Sequence, residues 1–396
     1  MTVKPPTNPT LRIVDLWGFG SGSQWDDLID SSQVKFTYSG RGGIYQYLLA
    51  LRKQRGWIEG REYVLVPAFQ CPTVVDPILH AGFKVRFYAV TDTTEVNRAD
   101  FLKKLDGTVA AAIFIRYFGF ADIPAELAQA TRAAGAKLVH DCSHSFLNAA
   151  PFALAGTQAD AAIYSFWKLL PLSTVGGGVW CKDEAILSAW PKQTSALGHA
   201  NVQLVRTLIG QMKDNLLQPH SRLDDVQGLA AVTSSAAVPV VKKSSDEAYP
   251  YDPQLSQSRL PAAIKILLNR ADLAETASRR RQNFQAFTEC LSASSEMLPI
   301  VRELHATDVP WGVPVILKKR GERDYLIRAR GVPVFSFGEV LHPLLYASTS
   351  TDKEMVETAQ YLSDNVLMFS IHQQLSVADV KHYAGVVNDY LSDLGR

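Results

Sequence analysis

The sequence predicts an α/β fold: a large domain on a mostly parallel sheet, followed by a smaller α+β C-terminal domain. Three observations predict it. Short apolar runs alternate with helical patterns from Tyr63 to Cys181, as strands and their covering helices do. One run, Val109 to Ile115, is apolar throughout, which suits a strand covered on both faces. Three clusters of reactive side chains fall at strand exits, Pro67 to Cys71, Asp141 to His144 and Ser165 to Lys168, where sheets of this kind bind ligands.

At 396 residues the chain is long enough for two lobes. The expected division is an N-terminal arm over 1–37, a large domain over 38–249 and a small domain over 250–396. Hydrophobic residues make up 47% and charged ones 20%, an ordinary globular composition. Forty basic residues against 39 acidic ones leave +1, which argues against a nucleic-acid binder working through bulk charge. The cysteines, Cys71, Cys142, Cys181 and Cys290, form no CxxC pair. That points away from a zinc site or a disulfide framework and suits a reducing compartment. Met1 to Pro6 is polar and proline-rich, without a signal peptide's apolar core. No apolar run approaches the length that spans a bilayer. The expectation is a cytoplasmic protein with no membrane or nucleic-acid partner and no metal.

Each element has its own signal. Residues 1–37 carry Trp17, Phe19 and Trp25 among glycines, and an arm with such aromatics is expected to pack on a neighbour. Gly40-Arg41-Gly42-Gly43 then breaks the pattern before a helix over Ile44 to Arg55. Strands are expected at Tyr63 to Pro67, Lys84 to Tyr88, Val109 to Ile115, Lys137 to His140, Asp160 to Phe166 and Gly178 to Cys181. Helices are expected at Pro72 to Ala81, with proline in the first turn, at Arg98 to Leu105, and at Pro124 to Ala134, which Gly135 ends. Glu184 to about Leu229 reads as helical and Ala230 to Asp246 as a linker. A long helical pattern runs from Leu260 to Phe287, with Arg279-Arg280-Arg281 on a solvated face. Val313 to Leu317 and Val332 to Phe337 read as strands, and Lys353 to Asn365 and Val377 to Leu394 as helices.

Lys168 leaves an apolar strand and precedes Gly176-Gly177-Gly178. Burial depresses an amine's pKa and leaves part of it neutral and nucleophilic, as Schiff-base chemistry needs. A solvated lysine at a strand end is the plainer alternative. Ser39-Gly40-Arg41-Gly42-Gly43 before a helix offers free N–H groups to an anion, or is simply a helix-start turn. Asp141, at a strand exit, suits a buried cation such as a pyridinium nitrogen, which it would keep protonated as an electron sink. Capping the next turn is its other reading. His144 suits either a phenolate oxygen or the crevice wall.

In that order, the segments resemble the fold type I pyridoxal-phosphate enzymes, and more closely the DegT/DnrJ/StrS sugar aminotransferase family. Ser39-Gly40-Arg41-Gly42-Gly43-Ile44 resembles its Asn-Gly-Thr-Ala-Ala-Leu phosphate loop. Val64 to Cys71 resembles the strand before its cofactor-stacking residue. Tyr117-Phe118-Gly119 and Val139-His140-Asp141-Cys142-Ser143-His144 resemble its glycine turn and its Asp-Cys-Ala-Gln/His motif. Ser165-Phe166-Trp167-Lys168 resembles the Ser-Phe segment before its cofactor lysine. Leu362 to Leu367 and His372 to Ser376 resemble its small-domain signature. The chain departs from the family at Trp167, the only residue between Ser-Phe and Lys, and at Val175-Gly176-Gly177-Gly178 in place of Gly-Glu-Gly-Gly. It departs again at Cys71 in place of an aromatic, Arg41 in place of threonine, and Arg116 near a usual histidine, where it would meet a carboxylate. These mark a divergent branch.

The resemblance implies pyridoxal 5'-phosphate as cofactor, carried by Lys168, which would then shuttle the proton. It implies Asp141 on the pyridine nitrogen and His144 on the ring hydroxyl. The Arg41 and Gly42 amides with Ser165 would take the phosphate, and Phe69 or Cys71 would lie over the ring. It implies an aminotransferase moving nitrogen from an amino acid, glutamate first, to a keto-sugar or other small ketone. The expected assembly is a homodimer with its site at the interface, the arm and Tyr251 to Arg259 being candidates to cross it. Two alternatives stand beside this: other pyridoxal chemistry, such as elimination, decarboxylation or C–C bond formation, and an inactive binding or regulatory homologue.

Overall fold

In a computed structural model of the chain, the described residues are 7–12, 32–120, 122–145, 159–172, 175–195, 198–217, 249–300, 303–305, 308–348 and 352–394. Trp17, Phe19, Trp25 and the linker expected over 230–246 lie outside them.

The large sheet contains β1 (Val34–Thr37), β2 (Tyr63–Pro67), β3 (Lys84–Tyr88), β4 (Val109–Ile115), β5 (Lys137–Asp141), β6 (Ala161–Ser165) and β7 (Gly177–Cys181). Their order is β1-β7-β6-β5-β4-β2-β3. β3, β2, β4, β5 and β6 run parallel, and β7 and β1 close one edge antiparallel. β1 falls inside the segment expected to be an arm. Earlier still, residues 7–12 return to their own chain: the Thr10 N–H donates to Gln374 Oε1 at 3.1 Å, and Gln374 Nε2 donates to the Thr10 carbonyl at 2.7 Å.

Helices α1 (Gly40–Lys53), α2 (Val75–His80), α3 (Arg98–Lys104), α4 (Ala125–Ala133), α5 (Glu184–Ser188) and α6 (Gly198–Leu217) accompany this sheet. The stretch expected as one helix from Pro72 opens instead as a 3-10 turn, Pro72–Val74, and becomes α2. α1 begins at Gly40 rather than Ile44, with Ser39 as its cap. Glycine is a poor helix former, and here packing overrides propensity. A Cβ on Gly43 would lie 2.9 Å from Val179 Cγ2, and one on Gly177 would lie 2.3 Å from the Ser39 carbonyl carbon. The helix start lies directly on β7 because Gly43 leaves room for the Val179 side chain and Gly177 leaves room for the Ser39 backbone.

The pattern expected as one helix from Leu260 is broken. After the short α7 (Pro253–Ser256), α8 (Ala262–Arg270) ends and α9 (Leu273–Cys290) restarts with Asp272 as its cap, accepting from the Glu275 N–H at 2.9 Å. Leu260, Ile264 and Leu268 pack in the core of the large sheet. Tyr251 to Arg259 also lies along its own chain: Gln46 Nε2 donates to the Ser256 carbonyl at 2.9 Å and the Tyr38 N–H to the Ser258 carbonyl at 3.0 Å.

The second sheet, ordered β10-β11-β9-β8, is wholly antiparallel. It comprises β8 (Met297–Pro299), β9 (Gly312–Leu317), β10 (Val334–Phe335) and β11 (Val366–Ser370), with α10 (Arg320–Ala329), α11 (Lys353–Asn365) and α12 (Val377–Leu394). Phe284, Phe287, Val315, Phe369, Tyr383 and Val387 form part of its core. The close approach at Gly177 gives a first prediction. Gly177→Ala is expected to lower unfolding stability by about 1–3 kcal/mol in denaturant titration, through overpacking. Gly107→Ala, whose Cβ meets nothing within 4 Å, is expected to stay within about 0.5 kcal/mol of the parent.

Candidate active site

Lys168 closes a single 3-10 turn, Phe166–Lys168, at the exit of β6. The turn is tight because Phe166 is buried beneath it and the glycines opposite leave room: a Cβ on Gly178 would lie 2.9 Å from Phe166 Cζ, and Gly176 has φ +107°. Ser173 and Thr174 lie outside the described residues. The Lys168 ammonium sits 4.8 Å from the centroid of the Trp311 ring and 5.9 Å from that of Phe337. The residue keeps some solvent contact, yet burial of the amine is the largest influence and lowers its pKa; Asp141 and then Cys71 oppose that shift.

Asp141 ends β5, next to β6, and is buried. Its Oδ1 accepts from the Ser143 N–H at 2.9 Å, while Oδ2 has no hydrogen-bond partner among the described residues. His144 follows in the same turn. Its Nδ1 accepts from the Phe118 N–H at 3.1 Å, so the neutral ring carries its proton on Nε2. Burial, then the charge of Lys168, hold its pKa well below the ordinary value of 6.5. Trp311 stacks on it at 4.4 Å and Phe337 meets it edge-on at 4.6 Å. Trp311, just before β9, and Phe337, in the loop after β10, were not expected at the site from the sequence. Pro310-Trp311-Gly312 before a strand is the only trace of the first.

The start of α1 reaches the same place. A Cβ on Gly40 would lie 3.3 Å from Ser165 Cβ and from the Tyr164 carbonyl oxygen, and 3.5 Å from Ser143 Oγ. Glycine leaves a cradle there between a helix start and two strand exits. Gly42 differs from its expected part: its N–H donates to Ser39 Oγ at 3.3 Å as a cap, and its α-carbon faces the Ser256 backbone. The Gly40 and Arg41 amides have no such partner among the described residues. The Arg41 side chain turns to the Pro250 carbonyl, 2.8 Å away.

Phe69 is withdrawn from the crevice. It is fully buried, stacked on Tyr117 at 5.8 Å, and its carbonyl accepts from the Tyr117 hydroxyl. Cys71 stays half-buried, near enough to influence both Lys168 and Tyr249. Arg116 does meet carboxylates, but the chain's own: Asp308 at 3.0 Å and Asp122 at 3.1 Å. The expectation of a solvated arginine run fails at Arg280, which is 0% exposed.

The cradle, the spare Asp141 oxygen and the enclosed amine fit a group with a phosphate arm, a ring nitrogen and an aldehyde, as pyridoxal phosphate has. The buried Trp311 Nε1 has no hydrogen-bond partner among the described residues, which further suits a site made to hold a polar ligand.

The sequence profile of the DegT/DnrJ/EryC1/StrS aminotransferase family matches residues 38–243, just over half of the chain. No curated protein matches it by sequence. Among solved structures, the aminotransferase TlmJ from Streptoalloteichus hindustanus superposes with a TM-score of 0.67 at 17% identity, covering 100% of both chains. Spr1654 from Streptococcus pneumoniae, a putative sugar aminotransferase in its pyridoxal-phosphate form, gives 0.66 at 14% identity over 99% of each chain. PseC from Helicobacter pylori, an aminotransferase of pseudoaminic acid biosynthesis, gives 0.64 at 12% over 98% of this chain and 99% of its own. At these identities the likeness establishes the fold.

The neutral amine is the reacting form, so a lowered pKa moves reactivity to lower pH. The rate at which added pyridoxal phosphate attaches to the protein is expected to rise with pH and to level off with a midpoint below 10.5, the ordinary lysine value. A midpoint at or above it would contradict the burial argument.

Proposed function

Because the chain belongs to the DegT/DnrJ/EryC1/StrS aminotransferase family and is a pyridoxal-phosphate-dependent aminotransferase, we propose that it moves an amino group from an amino acid, glutamate first, to a keto-sugar or other small ketone. One observation carries the site assignment: two strand exits and a helix start bring Lys168, Asp141, His144 and the Gly40 cradle together.

When bound, pyridoxal phosphate supplies an aldehyde for an amine and a ring that takes up the electron pair released at the substrate's α-carbon. The residues of the chain would do the rest. The Gly40 and Arg41 amides, with Ser165 and Ser143, would hold the phosphate at the positive end of α1. Asp141, through Oδ2, would keep the ring nitrogen protonated. His144, neutral with its proton on Nε2, would donate to the ring's phenolic oxygen. Lys168 would carry the cofactor, yield it to the donor, and then take the α-proton and return it. Cys71 is better placed than Phe69 to lie over the ring.

A homodimer belongs to the proposal. Val202, Val205 and Ile209, spaced along one face of α6, are 46–59% exposed, and a second copy would cover them. No helix among the described residues is long and apolar enough to cross a membrane, and the four free cysteines suit a cytoplasmic location.

The test is the visible absorbance of the protein with pyridoxal phosphate, before and after glutamate. The parent is expected to show a band that glutamate bleaches, and Lys168→Ala to lack covalent attachment. Asp141→Asn is expected to slow the bleaching by about 10²–10³-fold. A band that survives every amino acid offered would point to other pyridoxal chemistry. A protein that never takes up the cofactor would be a binding homologue.

A further inference from the structure

Arg280 is the fully buried member of the Arg279-Arg280-Arg281 run on α9, and no carboxylate pairs with it among the described residues. A buried charge is expensive unless its donors are satisfied. Arg280 satisfies them with neutral acceptors: Nε donates to Gln373 Oε1 at 3.0 Å, Nη1 to the Trp311 carbonyl at 3.0 Å and the Pro310 carbonyl at 3.3 Å, and Nη2 to the Leu169 carbonyl at 3.3 Å. Gln373 closes the ring by donating from Nε2 to the same Leu169 carbonyl at 2.9 Å. Burial presses the pKa of Arg280 down to about 9, so it is still charged at neutral pH.

The acceptors lie on either side of one contact. Leu169 is the residue after Lys168, and Trp311 is the ring against which the Lys168 ammonium rests. The planar fork of one guanidinium therefore sets the spacing between the amine's own backbone and the aromatic face it meets. Gln373 follows β11, so the second sheet takes part in fixing that spacing.

We propose that Arg280 and Gln373 are positioning residues that clamp Lys168 onto Trp311 and so tie the reactivity of the amine to the seating of the second sheet. The proposal rests on Lys168 being the cofactor lysine. A face-on aromatic ring favours the cationic amine. Loosening the clamp weakens that support but also admits water, and because burial is the largest influence on the amine, it then keeps its proton to higher pH.

The experiment is the pH dependence of pyridoxal phosphate attachment to the full chain, read beside its thermal melting. Borohydride trapping and mass spectrometry locate the label. Gln373→Leu removes both amide bonds at similar volume. It is expected to move the midpoint of attachment up by about half a unit or more and to reduce the label trapped at Lys168 several-fold. Trp311→Phe is expected to move the midpoint the same way. The double variant is expected to go no further than Trp311→Phe alone, because both act on one contact. Arg280→Lys, a single point charge, is expected to behave like Gln373→Leu if it folds. A lower melting temperature with the midpoint and the label at Lys168 unchanged would overturn the proposal and leave the cluster a plain structural crosslink. If the parent's label is found on another residue, the reading of Lys168 falls first, and the proposal with it.

Discussion

The first turn of α1 and the start of β7 meet with a glycine on each side of the contact. Gly43 and Gly177 let the first turn of α1 rest on β7, and Gly40 then faces Ser165 and Ser143. Helix N-termini carry unsatisfied N–H groups and positive potential, but these act on a ligand only where they can approach it. The glycines provide that approach. With a Cβ at Gly177 the helix would have to withdraw, and its free amides would no longer adjoin the strand that delivers Lys168. The packing rule that makes glycine unfavourable in a helix is set aside here because proximity outweighs propensity.

The second constraint is electrostatic. Two buried arginines grip the segment that carries Trp311, and they do so by different means. Arg116 pairs with Asp308 and Asp122, so its charge is compensated directly. Arg280 has carbonyls and an amide instead. Between them the turn at Phe118 and Gly119 is packed against Val309: Gly119 has φ +100°, and a Cβ there would lie 2.6 Å from the Val309 carbonyl oxygen. The Trp311 N–H donates to the Phe118 carbonyl at 3.0 Å, and the Phe118 N–H donates to His144. The aromatic wall of the site is thus fixed by backbone bonds from the large sheet, although its tryptophan immediately precedes β9 of the second sheet. Removing any one of these anchors leaves a buried donor or acceptor unpaired, which is the expensive direction of change.

The parts of the fold legible in the sequence were those in which one face or both faces of an element decide its pattern. β2 and β4 fall where the apolar runs place them, because buried parallel strands have little choice of composition, and β3 falls where its β-branched and aromatic residues place it. α11 and α12 also fall where their periodicity places them. The reading failed where a local signal was overruled from elsewhere. α1 starts among glycines, since β7 needs them there. The long helical pattern from Leu260 breaks because Asp272 caps a new helix. β1 and β8 were missed because short edge strands carry few residues to show a period. α10 was missed too, and it is mostly polar and charged.

The order of the chemistry is already written in the chain: a glycine-rich helix start, an aspartate and a lysine, each at the boundary of an expected element. Those positions follow from local rules, since strand exits and helix starts are properties of neighbouring residues. Which side chains face one another was settled by the packing of the folded chain. It buried Phe69 against Tyr117 and left Cys71 near the amine, although the two are separated by one residue. It turned Arg280 inward while Arg279, its neighbour, pairs with Glu275 near the surface. It brought Trp311 to Lys168. The physical reason is that burial and partner choice are set by three-dimensional packing between remote segments, and a one-dimensional pattern records only what each segment needs of its own neighbours.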